Sequence, residues 1–228
     1  MGVKLALRNK FILALLGSSL VGLTLLFINS LAFHDGNYYY LITNLILAWI
    51  PLLFSYLLIK VLHKYDWENW RAVILTIFWL VFLPNSFYMI TDFIHIQDVQ
   101  SSHAVYFAVT FCSVIFNALA VGFVSLYLIH QELKKYLNAI YSNGIIMAVL
   151  LICSVGVYMG RDLRWNSWDV ITNPTGILLD FTQRLITPSA WPTIVGTTGA
   201  LFLFLGSLYL LSRVTLKFMS SRESTDII

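Results

Sequence analysis

The chain has 228 residues, of which 59% are hydrophobic and only 11% charged, with mean hydropathy +0.79. A soluble domain of this length needs a polar surface that these residues cannot supply, so the composition excludes one and selects an integral membrane protein. The net charge of +3 is distributed by topology and carries no nucleic-acid signal. The two cysteines, Cys112 and Cys153, lie inside apolar runs and imply buried thiols rather than a disulfide framework.

The apolar runs are continuous rather than alternating, which selects helices over a barrel. A short basic lead-in with Lys4, Arg8 and Lys10 precedes the run 11–33. Ser30-Leu31-Ala32 loosely resembles a signal-cleavage site. The run exceeds the roughly 7–15 apolar residues of a signal peptide, however, so it is assigned as a first span. Further spans are expected at 38–62, 72–94, 104–129, 144–160 and 192–212. The fold class is therefore all-α, six transmembrane helices in a single membrane domain over 1–219, with a disordered tail at 220–228. Between Asn173 and Pro188 lies a shorter segment, expected as an interfacial helix over 174–187. Asn173 caps it, Pro174 suits its first turn and Pro188 stops it. Its apolar arc of Ile177, Leu178, Phe181 and Leu185 opposes Asp180, Gln183 and Arg184, with Asp180 and Arg184 at ion-pairing spacing.

Basic residues set the orientation. One set of connections and ends holds 11 of the 14 Lys and Arg residues, and the opposite set holds only Arg161, Arg164 and Arg184. Both termini are expected in the cytoplasm, with the interfacial helix on the extracytoplasmic side. Trp67 and Trp70 mark the inner edge, and Tyr38, Tyr39, Tyr40, Trp165, Trp168 and Trp191 the outer one.

Two stretches depart from plain membrane helix. In FLPNSFYMITDFIH, Phe82 to His95, an α-helix would place Asn85, Tyr88, Asp92 and His95 on one face. Such a polar stripe is costly in a membrane unless it meets protein or water. Pro84 leaves the carbonyl of Leu80 without its donor, so a kink is expected there, with Asn85 and Ser86 available to the freed backbone. The second stretch, GVYMGRDLRWNSWD, Gly156 to Asp169, carries Arg161, Asp162 and Arg164 beside Trp165 and Trp168. Gly156 and Gly160 give a small-xxx-small pair suited to close helix approach. Two arginines at a helix end beside indoles suit a phosphate or carboxylate group.

These stretches also resemble a known pattern. LPNSFYMITDFIH is similar to an LPN-x-x-Y-x-x-TD-x-x-H signature, and GVYMGRDLRWNSWD to G-x-Y-x-GR-x-x-RWNSWD. Together they resemble a family of bacterial multi-pass membrane proteins catalogued as domain of unknown function 1361. Ser86 and Phe87 stand where that pattern has a small residue and a proline. The resemblance implies a bacterial plasma-membrane protein and this architecture from the second span onward. It carries no activity to any residue.

Three readings of the polar residues compete. The first is an outward-facing site of Asn85, Tyr88, Asp92, His95, Arg161, Asp162, Arg164, Trp165 and Trp168. It would bind a lipid headgroup, an envelope-associated group or a small anionic ligand. The second is a metal-dependent membrane hydrolase or transferase. Asp92 and His95 at i and i+3 would ligate a divalent ion, with a third ligand from His34, Asp98, His103 or Asp162. No metalloenzyme motif and no nucleophile motif accompanies them, so no cofactor is assigned. In the third, Asp92 pairs with Arg161 or Arg164 only as interhelical packing. A transporter would need a polar path through the bilayer, for which Asn44, Asn85, Ser113 and Asn117 are the candidates, but no inverted repeat is legible.

Overall fold

A computed structural model describes residues 2–33, 39–98 and 103–223, with side chains described over 12–31, 39–95 and 103–215. His34, Tyr38 and residues 224–228 lie outside the described residues, as do the side chains of Gln97 and Asp98.

Among the described residues every regular element is helical. The long ones are α1 (Gly2–Phe33), α2 (Tyr39–Leu62), α3 (Trp70–Tyr88), α4 (Ala104–Tyr136), α5 (Ala139–Asp162) and α8 (Trp191–Glu223). Between the last two lie a single turn, α6 (Asp169–Thr172), and α7 (Pro174–Ile186). Two 3₁₀ segments, Met89–Asp98 and Pro188–Ala190, complete the path. Six helices are long and apolar enough to cross a membrane. Large apolar side chains such as Leu13, Ile46, Ile77 and Leu203 stand more than half exposed, as lipid-facing positions do.

Several helices outrun their apolar stretches. α4 continues past Ile129 to Tyr136, and at 33 residues it is about 50 Å long, well beyond a hydrocarbon core of roughly 30 Å. Lys and Glu are good helix formers, and the Lys135 ammonium bonds the Glu132 carboxylate at 2.6 Å, so loss of hydropathy does not end the helix. α8 likewise runs to Glu223, so residues 220–223 extend a helix instead of opening a disordered tail. Caps mark the true starts. The Asn138 side chain accepts from the backbone N–H of Ile140 and Tyr141, starting α5 five residues before its apolar run. Asn173 caps α7 as its position predicts, accepting from Gly176 at 3.1 Å.

The chain forms two compact units, Met1–Tyr136 and Leu137–Ile228. In the first, α4 packs against α1, α2, α3 and the long 3₁₀ segment, and α2 packs along α3. Close approach is built in at Gly122, where an added Cβ would lie 2.7 Å from the Ser86 Cβ. Several polar side chains inside this unit join its helices. The Trp79 indole donates to Ser125 at 2.9 Å, and the Tyr106 hydroxyl donates to the Leu25 carbonyl at 2.8 Å. Asn117 joins Ser19 and the Leu15 carbonyl. In a bilayer no water can satisfy such groups, so they join helices instead.

The second unit is built on α5 against α8. The Arg213 guanidinium donates to the Asn143 side chain at 2.9 Å, tying these helices at the end remote from Arg161.

Candidate functional site

The stripe from Asn85 to His95 does not form as one α-helical face. α3 runs through Pro84 but ends at Tyr88, and Met89–Asp98 continues at three residues per turn. Three-fold winding aligns Met89, Asp92 and His95 and turns Tyr88 with Thr91 and Ile94 to another face. Burial follows this register: Met89 and Asp92 are buried, His95 is partly exposed and Ile94 is 51% exposed. Carbonyls three residues back are taken by side chains on either side of the junction, from Asn85 to Phe82 at 3.0 Å and from Thr91 to Tyr88 at 2.8 Å. Such local bonds compete with the α pattern and suit tighter winding. The longer rise carries His95 about 3.5 Å further along the axis than an α-helix would.

Asp92 is 1% exposed and accepts from the Asn44 amide of α2 at 3.4 Å. Tyr40, one turn away on α2, meets the His95 ring edge to face at 5.7 Å. The start of α2 and the 3₁₀ segment therefore share one polar seam. Ser86 does not serve its own helix. Its hydroxyl donates to the Ala48 carbonyl of α2 at 2.8 Å, one turn before Pro51, through which α2 runs unbroken. Of the polar residues considered for a membrane path, Asn44, Asn85 and Asn117 are all engaged in these bonds. Among the described residues no three His, Cys, Asp or Glu side chains come together, so a metal at Asp92 and His95 would need a ligand from outside them.

In the second unit α5 ends in a turn that presents Arg161, Asp162, Arg164, Trp165 and Trp168. The N–H groups of Leu163 and Trp165 both donate to the Met159 carbonyl at 3.2 Å, closing the helix in a Schellman-type cap. Arg164 occupies the left-handed position of that cap, at φ 59°, where glycine is the usual residue. The Trp165 indole then donates to the Asp180 carboxylate of α7 at 3.1 Å. Asp180 takes this contact, and among the described residues no ion pair joins it to Arg184, although their spacing suggests one. Asp169 accepts from the Asn166 backbone at 2.7 Å, folding the intervening loop. Sequence reasoning left Asp180 outside the candidate site. Its signal was an acidic residue on the polar arc of a short helix that follows the tryptophan-rich turn.

One prediction tests the cap. Arg164→Gly relieves the left-handed strain and is expected to stabilise the protein by about 1 kcal/mol in detergent unfolding. Arg164→Ala keeps the strain and is expected to give no gain.

Six helices long and apolar enough to cross a membrane, several of them joined by bonds between buried polar side chains, define a multi-pass membrane protein. The sequence profile of the family described as protein of unknown function (DUF1361) matches residues 43–205. The chain belongs to that family. No curated protein and no solved structure matches it.

Proposed function

We propose that this is a bacterial plasma-membrane protein with both termini in the cytoplasm, and that it binds the polar group of a lipid or envelope-associated ligand at its outer surface. The hydrogen bond from Trp165 to Asp180 carries this reading. It ties the arginine turn to α7, a helix of 13 residues, too short to span, whose Leu178, Leu179 and Ile186 stand exposed as an interfacial helix requires. Arg161, Arg164, Trp165 and Trp168 are then held at headgroup depth, where guanidinium groups and indoles suit phosphate or carboxylate groups. Asp162 is the acidic member of the same turn. The excess of Lys and Arg on the opposite connections supports an outer position for this turn.

Asp92 and His95 belong to the first unit, are proposed as a separate contact, and have different parts in it. The buried Asp92 carboxylate holds the ends of α2 and the 3₁₀ segment together, and the partly exposed His95 is the member of the pair that can meet a ligand. Asn85 and Tyr88 stand on the α3 side of the junction, where the Asn85 amide bonds the Phe82 carbonyl, and are not part of that pair.

The double variant Arg161→Gln/Arg164→Gln tests the proposal. Native mass spectrometry of the purified protein should show about tenfold less retained lipid than wild type, with unchanged thermal unfolding. An unchanged lipid load would refute the role of the arginines. A cysteine placed at Gln97 should react with an impermeant reagent from outside the cell, and labelling only after lysis would reverse the orientation.

A further inference from the structure

The second unit contains an open polar cleft of about 470 Å³ between α7 and the start of α8, within the range of about 300–1,000 Å³ typical of small-molecule sites. Its polar lining is Asp180, Gln183, Arg184, Thr187, Ser189 and Thr193. Asp180 and Arg184, four residues apart on one helix, would ordinarily neutralise each other. Here the Trp165 indole donates to the Asp180 carboxylate at 3.1 Å, and the Arg184 guanidinium makes no hydrogen bond or ion pair among the described residues. The Thr187 hydroxyl is turned to the Gln183 carbonyl at 2.7 Å, whereas the Ser189 and Thr193 hydroxyls make no hydrogen bond among the described residues. The cleft thus keeps one acidic and one basic group apart, with hydroxyls beside them and no net charge.

We infer that this cleft binds a zwitterionic phosphate ester bearing a primary ammonium group, of the phosphoethanolamine type. Arg184 takes the phosphate through paired N–H donors, and Asp180 takes the ammonium through the carboxylate oxygen that the indole leaves open. A purely anionic group would satisfy Arg184 but meet the Asp180 carboxylate. A quaternary ammonium would have no N–H to give it. The exposed apolar residues of α7 suit a position at headgroup depth, so an acyl-bearing phosphoethanolamine and the free group are the two sources of this chemistry. The inference rests on the headgroup-binding reading above and narrows it to one class at a site that includes Asp180 and Arg184.

The test is calorimetric titration of the full chain in detergent with dihexanoyl phosphatidylethanolamine, phosphatidylcholine, phosphatidylglycerol and free phosphoethanolamine. The ethanolamine lipid should bind about tenfold more tightly than the choline lipid, the difference of one charge-assisted hydrogen-bond set. Asp180→Asn, which keeps an acceptor for the indole at an exposed position, should abolish that preference. Arg184→Gln should weaken both lipids alike. Comparable binding of free phosphoethanolamine would identify a soluble source, and binding of the lipid alone a membrane source. Equal binding of ethanolamine and choline lipids, or a preference that survives Asp180→Asn, overturns the inference. Binding of phosphatidylglycerol alone overturns it while leaving the headgroup reading intact. Binding of none of the lipids removes both.

Discussion

Gly122→Leu is expected to yield no folded protein, and Gly122→Ala to lose about 2–3 kcal/mol in detergent unfolding. Even one methyl has no room, because its Cβ would lie 2.7 Å from the Ser86 Cβ and 3.0 and 3.2 Å from the Phe87 ring. Neither neighbour yields easily. Phe87 is fully buried and packs against Phe123 with ring centroids 5.2 Å apart, and Ser86 is fixed by its bond to the Ala48 carbonyl. The α3–α4 spacing would have to widen, and the α2 contact made through Ser86 would open with it. Ser86→Gly removes the atom in closest conflict. In the Gly122→Ala background it should restore part of the loss, although it costs about 1 kcal/mol through the broken interhelical bond. A Ser86→Gly/Gly122→Ala double variant no more stable than Gly122→Ala alone would show that the clash is not what limits the site.

Asn117→Leu is expected to cost about 2 kcal/mol, because it dismantles a junction of three helices. The Asn117 amide donates to the Leu15 carbonyl at 3.0 Å, and its carbonyl accepts from Ser19 at 2.8 Å. Ser19 in turn accepts from the Trp49 indole of α2 at 3.1 Å. Leucine leaves Ser19 without its acceptor within the apolar interior, and the hydroxyl must turn to its own helix backbone. Since Ser19 and Asn117 act as one unit, Ser19→Ala should cost little more once Asn117 is gone. The double variant should fall short of the sum of the singles by at least about 0.5 kcal/mol, and strict additivity in equilibrium unfolding would refute the network.

The site illustrates how differently the two stretches could be read from their residues. The GRDLRWNSWD turn was legible because its signals are local: arginines against the charge trend, indoles and a glycine before the break. What spacing could not give was the partner of Asp180. An i, i+4 pair with Arg184 is worth only a few tenths of a kcal/mol on an exposed helix, so spacing alone does not decide the partner, and the indole of the neighbouring turn supplies it. The Asn85–Tyr88–Asp92–His95 stripe failed for another reason. It assumed 3.6 residues per turn, and the chain changes to three after Tyr88, so that Met89 takes the place of Tyr88.

By itself the sequence determined the class and the count of spans. Transfer of a 20-residue apolar run into hydrocarbon depends on composition and length alone, so runs without charges report membrane helices directly. It also determined the α7 segment, whose Asn173 cap and flanking prolines act within a few residues. Only the tertiary structure decided which polar groups meet. Ser86 with Ala48, Asn44 with Asp92 and Trp165 with Asp180 join residues 38, 48 and 15 positions apart. In an apolar medium each polar group takes whichever partner the packing brings within reach, and packing is a property of the assembled helices, not of any one run.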